Sequence, residues 1–190
     1  MQITLSDIKN IAEYEKIRLE HRKKMIELKR QRRVSVGPNI SFVFENHHTV
    51  LYQIQEMMRT ERLVHDEHIQ HEIDTYSQLL PGDQELSATM LLEITQKELI
   101  RPMLDSMVGM TKHAVYLRVN GEEIPTTFDE DQAEDGRISA VQYVRWPLSQ
   151  SQTEAVRSGE ALVEIVIRHP NYTHTTSLTA EQRKAISEDV

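Results

Sequence analysis

Hydrophobic and polar positions divide the chain into a first part with mostly helical spacing and a second part with mostly strand alternation. Ser6 reads as an N-cap, with Asp7 in the first turn, and apolar marks follow at Ile8, Ile11, Tyr14, Ile17, Met25 and Leu28. Their steps of mostly three to four residues predict a helix over 6–31, with a break near 10–13. The period then changes. Val34 and Val36 alternate with polar neighbours, Gly37-Pro38-Asn39 signals a turn, and Ile40, Phe42 and Phe44 alternate again. This predicts a β-hairpin with strands at 32–36 and 40–45. Residues 46–49 cap a helix whose apolar face is Val50, Leu51, Ile54, Met57 and Met58, beside a polar stripe of Gln53, Glu56 and Thr60. Asp66 starts a second helix with Ile69, Ile73, Tyr76 and Leu80 on its core face, so a helical pair occupies 49–80.

Beyond Pro81-Gly82-Asp83 the chain turns to strands, predicted at 86–94, 114–119, 122–128, 138–148, 161–168 and 173–178. Helices are predicted at 96–108, from Ser149 or Ser151 to about 158, and after Thr179, where Gln182 completes a capping box. Asn120-Gly121 marks a hairpin turn, and the seven acids within 121–135 read as a solvated loop, with a cation-binding loop the lesser reading because the ligand spacing of an EF-hand is missing. No repeat and no low-complexity linker separates the halves. The expectation is one α+β domain over 1–190, its helical first half packed on a mostly antiparallel sheet over 86–178.

Composition narrows the classes. Hydrophobic residues make up 38% and charged residues 27% of 190, a globular balance long enough for a core without staples. No apolar run approaches a bilayer span and no signal-peptide core is present, so the expectation is a cytoplasmic protein without a membrane role. With no cysteine, a Cys-ligated cluster is excluded, and any metal needs His, Asp or Glu. Net charge is −8, yet residues 1–35 hold ten Lys/Arg against five Asp/Glu, so the remainder carries −13. An acidic chain makes nucleic acid an unpromising partner. The basic run Lys23, Lys24, Lys29, Arg30, Arg32, Arg33 reads as helix-terminal charge on a solvated face, or as a docking patch for an anion or an acidic partner.

Three constellations could carry chemistry. On a helix, His65, His68 and Glu72 share a side, and His68 and Glu72 stand four apart, a spacing that can hold one ion. With Glu56 from the preceding helix, Glu56, His68 and Glu72 would suit iron or manganese. Partly exposed histidines are the competing reading. The second constellation is Glu45, Asn46, Gln53, Glu56, Arg59, Glu72 and Glu93. Crowded carboxylates could have raised pKa values and act as acid or base, or they could pair with arginines in a structural network. The third is His169-Pro170-Asn171-Tyr172 with His174, where a histidine leaving a buried strand can be a base or simply an extended residue before proline. No Gly-rich phosphate loop, nucleophile elbow or HExxH is present.

The segments FEN (44–46), QIQEMMRTER (53–62), IQHEIDTYSQLLPG (69–82), SATMLLE (87–93), SAVQYVRWPL (139–148) and VIRHPNY (166–172) run in order over nearly the whole chain. They resemble a bacterial family of uncharacterised proteins, the domain of unknown function 3501 family. The resemblance carries no activity with it. It implies a redox or peroxide-stress setting, because members of that family are encoded beside rubrerythrin-like proteins and iron–sulfur proteins related to heterodisulfide reductase. Glu45, Asn46, Gln53, Glu56, Arg59, Glu72, Asp74, Tyr76, Glu93, His169 and Tyr172 fall on positions of the family pattern, whereas His65, His68 and His71 do not. That moves weight from the histidines to the carboxylates and His169. The leading expectation is a non-catalytic accessory or interaction protein of a redox or oxidative-stress system. A metal-binding protein or metal-dependent enzyme using the Glu/His cluster, and a metal-free enzyme binding a small polar ligand, stand as alternatives.

Overall fold

A computed structural model describes residues 2–129 and 138–190. The acidic loop read over 121–135 falls partly on 130–137, outside the described residues. The chain divides into two compact units, one of residues 1–31 and 45–80, the other of 32–44 and 81–190. The class is α+β, as its patterning predicts, with every strand pairing antiparallel.

The first unit is helical. A 3₁₀ turn, Leu5–Asp7, precedes α1, Ile11–Arg32. The expected start at Ser6 is displaced by five residues for a local reason. The Asp7 carboxylate accepts 2.8 Å bonds from the Thr4 N–H and hydroxyl, which tightens the lead-in into its own turn. Asn10 then accepts the Glu13 N–H at 3.0 Å and satisfies an otherwise open donor of α1. α2, His47–Glu61, starts on a reciprocal cap. The Asn46 side chain accepts the Thr49 N–H at 3.0 Å, and the Thr49 hydroxyl accepts the Asn46 N–H at 2.9 Å. α2 ends at Arg62, whose φ of 57° is left-handed. α3, Asp66–Ser77, buries Ile69 and Ile73.

The second unit holds two sheets rather than the single sheet expected. β1 (Arg33–Val36), β2 (Ile40–Phe44), β3 (Glu85–Leu92), β7 (Val141–Pro147) and β6 (Thr127–Phe128) form one, in the order β1-β2-β3-β7-β6. β5 (Glu122–Pro125), β4 (Val115–Val119), β8 (Val163–His169) and β9 (Tyr172–Ser177) form the other, in the order β5-β4-β8-β9. The strand predicted over 122–128 changes sheets between β5 and β6. Pro125 has no N–H to continue a ladder, and the Thr126 hydroxyl is drawn off to accept the Trp146 Nε1–H at 2.7 Å. β2 is buried along its whole length, as a continuous apolar strand between two neighbours should be. Phe42 and Phe44 pack on Trp146 with ring centroids 6.0 and 5.7 Å apart, and all three are fully buried. The helix predicted at 96–108 is a 3₁₀ turn at Lys97–Leu99 running into α4, Ile100–Ser106. Pro102 falls in its first turn, where no intrahelical donor is lost. α5 (Gln150–Arg157) and α6 (Ala180–Ser187) start on Ser149–Gln152 and Thr179–Gln182 capping boxes.

Candidate functional site

The polar seam of the first unit centres on Glu56. Its Oε1 accepts the Tyr14 hydroxyl at 2.6 Å and the Arg18 Nε–H at 2.8 Å, while Oε2 accepts Arg18 Nη2–H at 2.8 Å. Such a bidentate, charge-assisted pair favours the ionised acid. The Arg18 guanidinium beside Glu56 accordingly holds its carboxyl below the usual range, against the opposing effect of burial. Of the two readings of these carboxylates, Glu56 follows the arginine-paired one rather than the raised-pKa one, with Arg18 as the arginine. The crowd is absent, and the neighbours are a cation and a phenol. Burial followed by the bond to Glu56 pushes the Tyr14 hydroxyl well above its ordinary value.

His21 lies one turn beyond Arg18 and meets Tyr14 and Tyr52 edge-on, with centroids 5.9 and 5.5 Å away. Its Nδ1 is buried without a hydrogen-bond partner among the described residues, and desolvation lowers its pKa. Lys29 sits 5.8 Å over the Tyr52 ring. Tyr14, Arg18, His21, Met25 and Leu28 therefore form one inward stripe of α1 at steps of four and three. The buried Gln55 clamps the segment ahead of α1, accepting the Lys9 N–H at 2.9 Å and donating to the Lys9 carbonyl at 2.8 Å.

The remaining expected site residues do not join Glu56. Glu45 is buried and accepts the Thr49 hydroxyl, so Glu45 and Asn46 build the start of α2. Gln53 and Glu72 lie near the Tyr76 hydroxyl, whose pKa is raised mainly by burial, with Gln53 opposing the shift and the Glu72 charge adding to it. Arg59 pairs with Glu15. Glu93 lies past the end of β3, belongs to the other unit, and forms an exposed pair with Arg33 at 2.9 Å. Glu56, His68 and Glu72 do not assemble as a triad: among the described residues no group of three or more His, Asp or Glu is placed to hold an ion.

His169 and Tyr172 are fastened into the second unit. His169 Nε2 lies 3.1 Å from the Val108 carbonyl, and Nδ1 accepts the Asn171 N–H at 3.3 Å, a pattern that fixes the Nε2–H tautomer. The Tyr172 hydroxyl donates to the Val36 carbonyl at 2.7 Å and accepts the Asn39 N–H at 3.0 Å, pinning the β1–β2 turn. Gly37 in that turn has φ 70°, and a Cβ there would lie 2.6 Å from both Tyr172 and His174.

The model of a protein family of unknown function, DUF3501, matches residues 2–190. The chain belongs to the DUF3501 family. A crystal structure of a protein of unknown function from Burkholderia pseudomallei K96243 is 29% identical and superposes with a TM-score of 0.93, with each chain covered in full. No curated protein matches. No helix among the described residues is long and apolar enough to cross a membrane.

The opposite side of α1 in this DUF3501 member takes in Lys23 and Arg30 of the basic run and adds apolar residues to them. Lys16, Leu19, Lys23, Ile26 and Arg30 recur at steps of three and four, and all are exposed. Leu19 is 71% and Ile26 61% exposed. Lys16 and Lys23 are in no ion pair among the described residues, while Arg30 pairs with Glu27. Across its length α1 has eight Lys/Arg against four Glu.

Proposed function

We propose that this DUF3501 protein is a non-catalytic interaction protein, acting in the cytoplasm on a redox or oxidative-stress system, and that the outward stripe of α1 is its docking face. The observation that carries the reading is Leu19 and Ile26 held in solvent between cations on a 22-residue helix. Isolated exposed apolar residues are ordinary, but two of them one heptad apart, alternating with basic residues on one stripe, make a helix face suited to an acidic surface. Glu56 is ionised and both its oxygens are engaged, and a metal centre on Glu56, His68 and Glu72 has no assembled ligand set among the described residues to support it.

The test is affinity capture of the whole chain from its native cell at low salt, with the retained proteins identified by mass spectrometry. Rubrerythrin-like or iron–sulfur redox proteins retained by the wild type and lost with Lys23→Glu or Ile26→Glu support the reading. Retention of the same proteins by both variants removes α1 from the interaction, and retention of none by the wild type sinks the reading itself.

A further inference from the structure

A second surface of the helical unit has the complementary chemistry. Leu5, Ile8, Ile11, Met58, Leu63 and Ile69 line a half-open cleft of about 190 Å³, with the exposed side chains of Asn10 and Asp66 at its edge. Leu5 and Asp66 also line an adjoining shallow trough with Glu67 and Asp74. α3, which supplies these carboxylates, holds four Asp/Glu and no Lys or Arg. The cleft is smaller than the roughly 300–1,000 Å³ of sites that enclose an organic ligand or cofactor. It is sized for an aliphatic side chain, and its border asks for cations beside that side chain.

The outward stripe of α1 has that composition, with Leu19 set between Lys16 and Lys23. Resting on the docking-face reading of that stripe, we propose that its partner is a second copy of this chain. Leu19 of one copy enters the cleft of the other, and Lys23 lies against the carboxylates of α3, in a reciprocal two-fold pair. Charge favours this occupant over others: α3 carries four Asp/Glu and no Lys or Arg, against the cations Lys16 and Lys23 that flank Leu19. Direct pairing of α1 with its own copy would bring the central Lys23 residues together, a like-charge contact that disfavours it. One helix face and one cleft make a small interface, so the pair should be concentration-dependent and salt-sensitive.

Sedimentation of the whole chain over a range of concentrations, at low and high salt, tests this. The expected result is a monomer–dimer equilibrium at low salt that weakens at high salt. Lys23→Glu and Asp74→Lys should each weaken dimerisation by about tenfold or more, because each sets like charges across both contacts. Asp74→Lys sits in the last turn of α3, where a cation is favourable, and far-UV circular dichroism checks that both variants keep their helices. The two variants mixed should pair again, since reversed position 23 then meets reversed position 74 while the other contact is native. A wild type that stays monomeric at every concentration, or variants that fail to restore each other, overturns the proposal. Binding of the wild-type monomer to anionic vesicles without dimerisation overturns it as well. A monomer that still captures redox proteins through Lys23 would defeat the self-pairing and leave the docking-face reading standing.

Discussion

The two units use charge in opposite ways. In the sheet unit, charged residues are mostly kept to the surface. Glu123, Arg118, Glu164 and Ser177 sit opposite one another on successive strands of the β5-β4-β8-β9 sheet and form a cross-strand ladder. Its contacts are Arg118–Glu164 at 2.7 Å, Ser177–Glu164 at 3.0 Å and a looser Arg118–Glu123 at 3.7 Å. Beneath it lies an apolar core around Trp146, with one buried arginine, Arg32, answered by Asp189 and the carbonyls of Phe44 and Ala185. In the helical unit, Arg18, Glu56 and His21 stand within the packed seam between α1 and α2. Apart from the buried Arg32–Asp189 pair, the sheet unit draws its stability from apolar burial, which depends weakly on pH and salt. The helical unit makes part of its packing conditional on ionisation, and spends apolar residues of α1 on its outer face instead.

The sharpest way to break this contrast is to truncate one residue in each interior. Trp146→Ala should cost the sheet unit about 3–5 kcal/mol, from lost burial of a large ring and the cavity left against Phe42 and Phe44. Denaturant unfolding measures it, and a cost under about 1 kcal/mol would show that the core repacks freely. Glu56→Ala should cost less, about 2–3 kcal/mol, by stranding a half-buried Arg18 and the Tyr14 hydroxyl. The triple variant Tyr14→Phe, Arg18→Met and Glu56→Leu separates packing from polar geometry, because it also removes the Tyr14 hydroxyl that would lose its acceptor. If the group serves packing alone, stability returns to within about 1 kcal/mol of wild type, since apolar side chains of similar volume replace charges that no longer need solvation. A triple variant that stays as unstable as Glu56→Ala would mean that the seam is specified by its polar geometry. A smaller loss, about 1–2 kcal/mol, is expected for Tyr172→Phe, which leaves the ring in place and removes the bonds to Val36 and Asn39. Hydrogen exchange should rise at the β1–β2 turn before it rises elsewhere; unchanged exchange there would refute a pinning role.

Legibility followed the same division. Strands were readable where β-branched and aromatic residues alternate, as in 40–44 and 163–169, and helix starts were readable from Asn46–Thr49, Ser149–Gln152 and Thr179–Gln182, because a cap is local chemistry. The inward stripe of α1 was not. A hydrophobicity count passes over Arg18 and His21, although their spacing with Tyr14, Met25 and Leu28 is that of a packed helix. Glu56 and Gln53 stood out as polar residues beside an apolar face, but the partners of Glu56 lie 42 and 38 residues earlier in the chain, and no local pattern joins them. Glu93, His169 and Tyr172 also stood out by residue type, and each proved to be fastened to nearby backbone or to an arginine. Of the outer stripe the sequence shows the basic residues Lys23 and Arg30, while Leu19 and Ile26 fall off the apolar face of α1 and only their exposure places them beside those cations.

The smallest expected effect tests whether the helical seam responds to pH. Burial holds His21 below its ordinary value of 6.5, so the unfolded chain takes up a proton at a pH where the folded chain does not. Unfolding then binds protons, and stability falls as pH falls from about 6.5 toward the depressed folded value. Glu56 acts in the same direction but lower, its contribution being lost below about pH 4.3 as its carboxylate is protonated. His21→Phe keeps an aromatic ring against Tyr14 and Tyr52 and removes the titration. Charges facing His21 come from Glu56, Lys24, Lys9 and His48, and all four remain in the variant. The difference in unfolding free energy between wild type and His21→Phe should therefore be flat above pH about 6.5 and shift against the wild type as pH falls through the range below it. A difference that stays constant from pH 7 to pH 5 would mean that the His21 ring gains enough solvent on protonation to escape its burial, and the seam would then be no more pH-dependent than the sheet core.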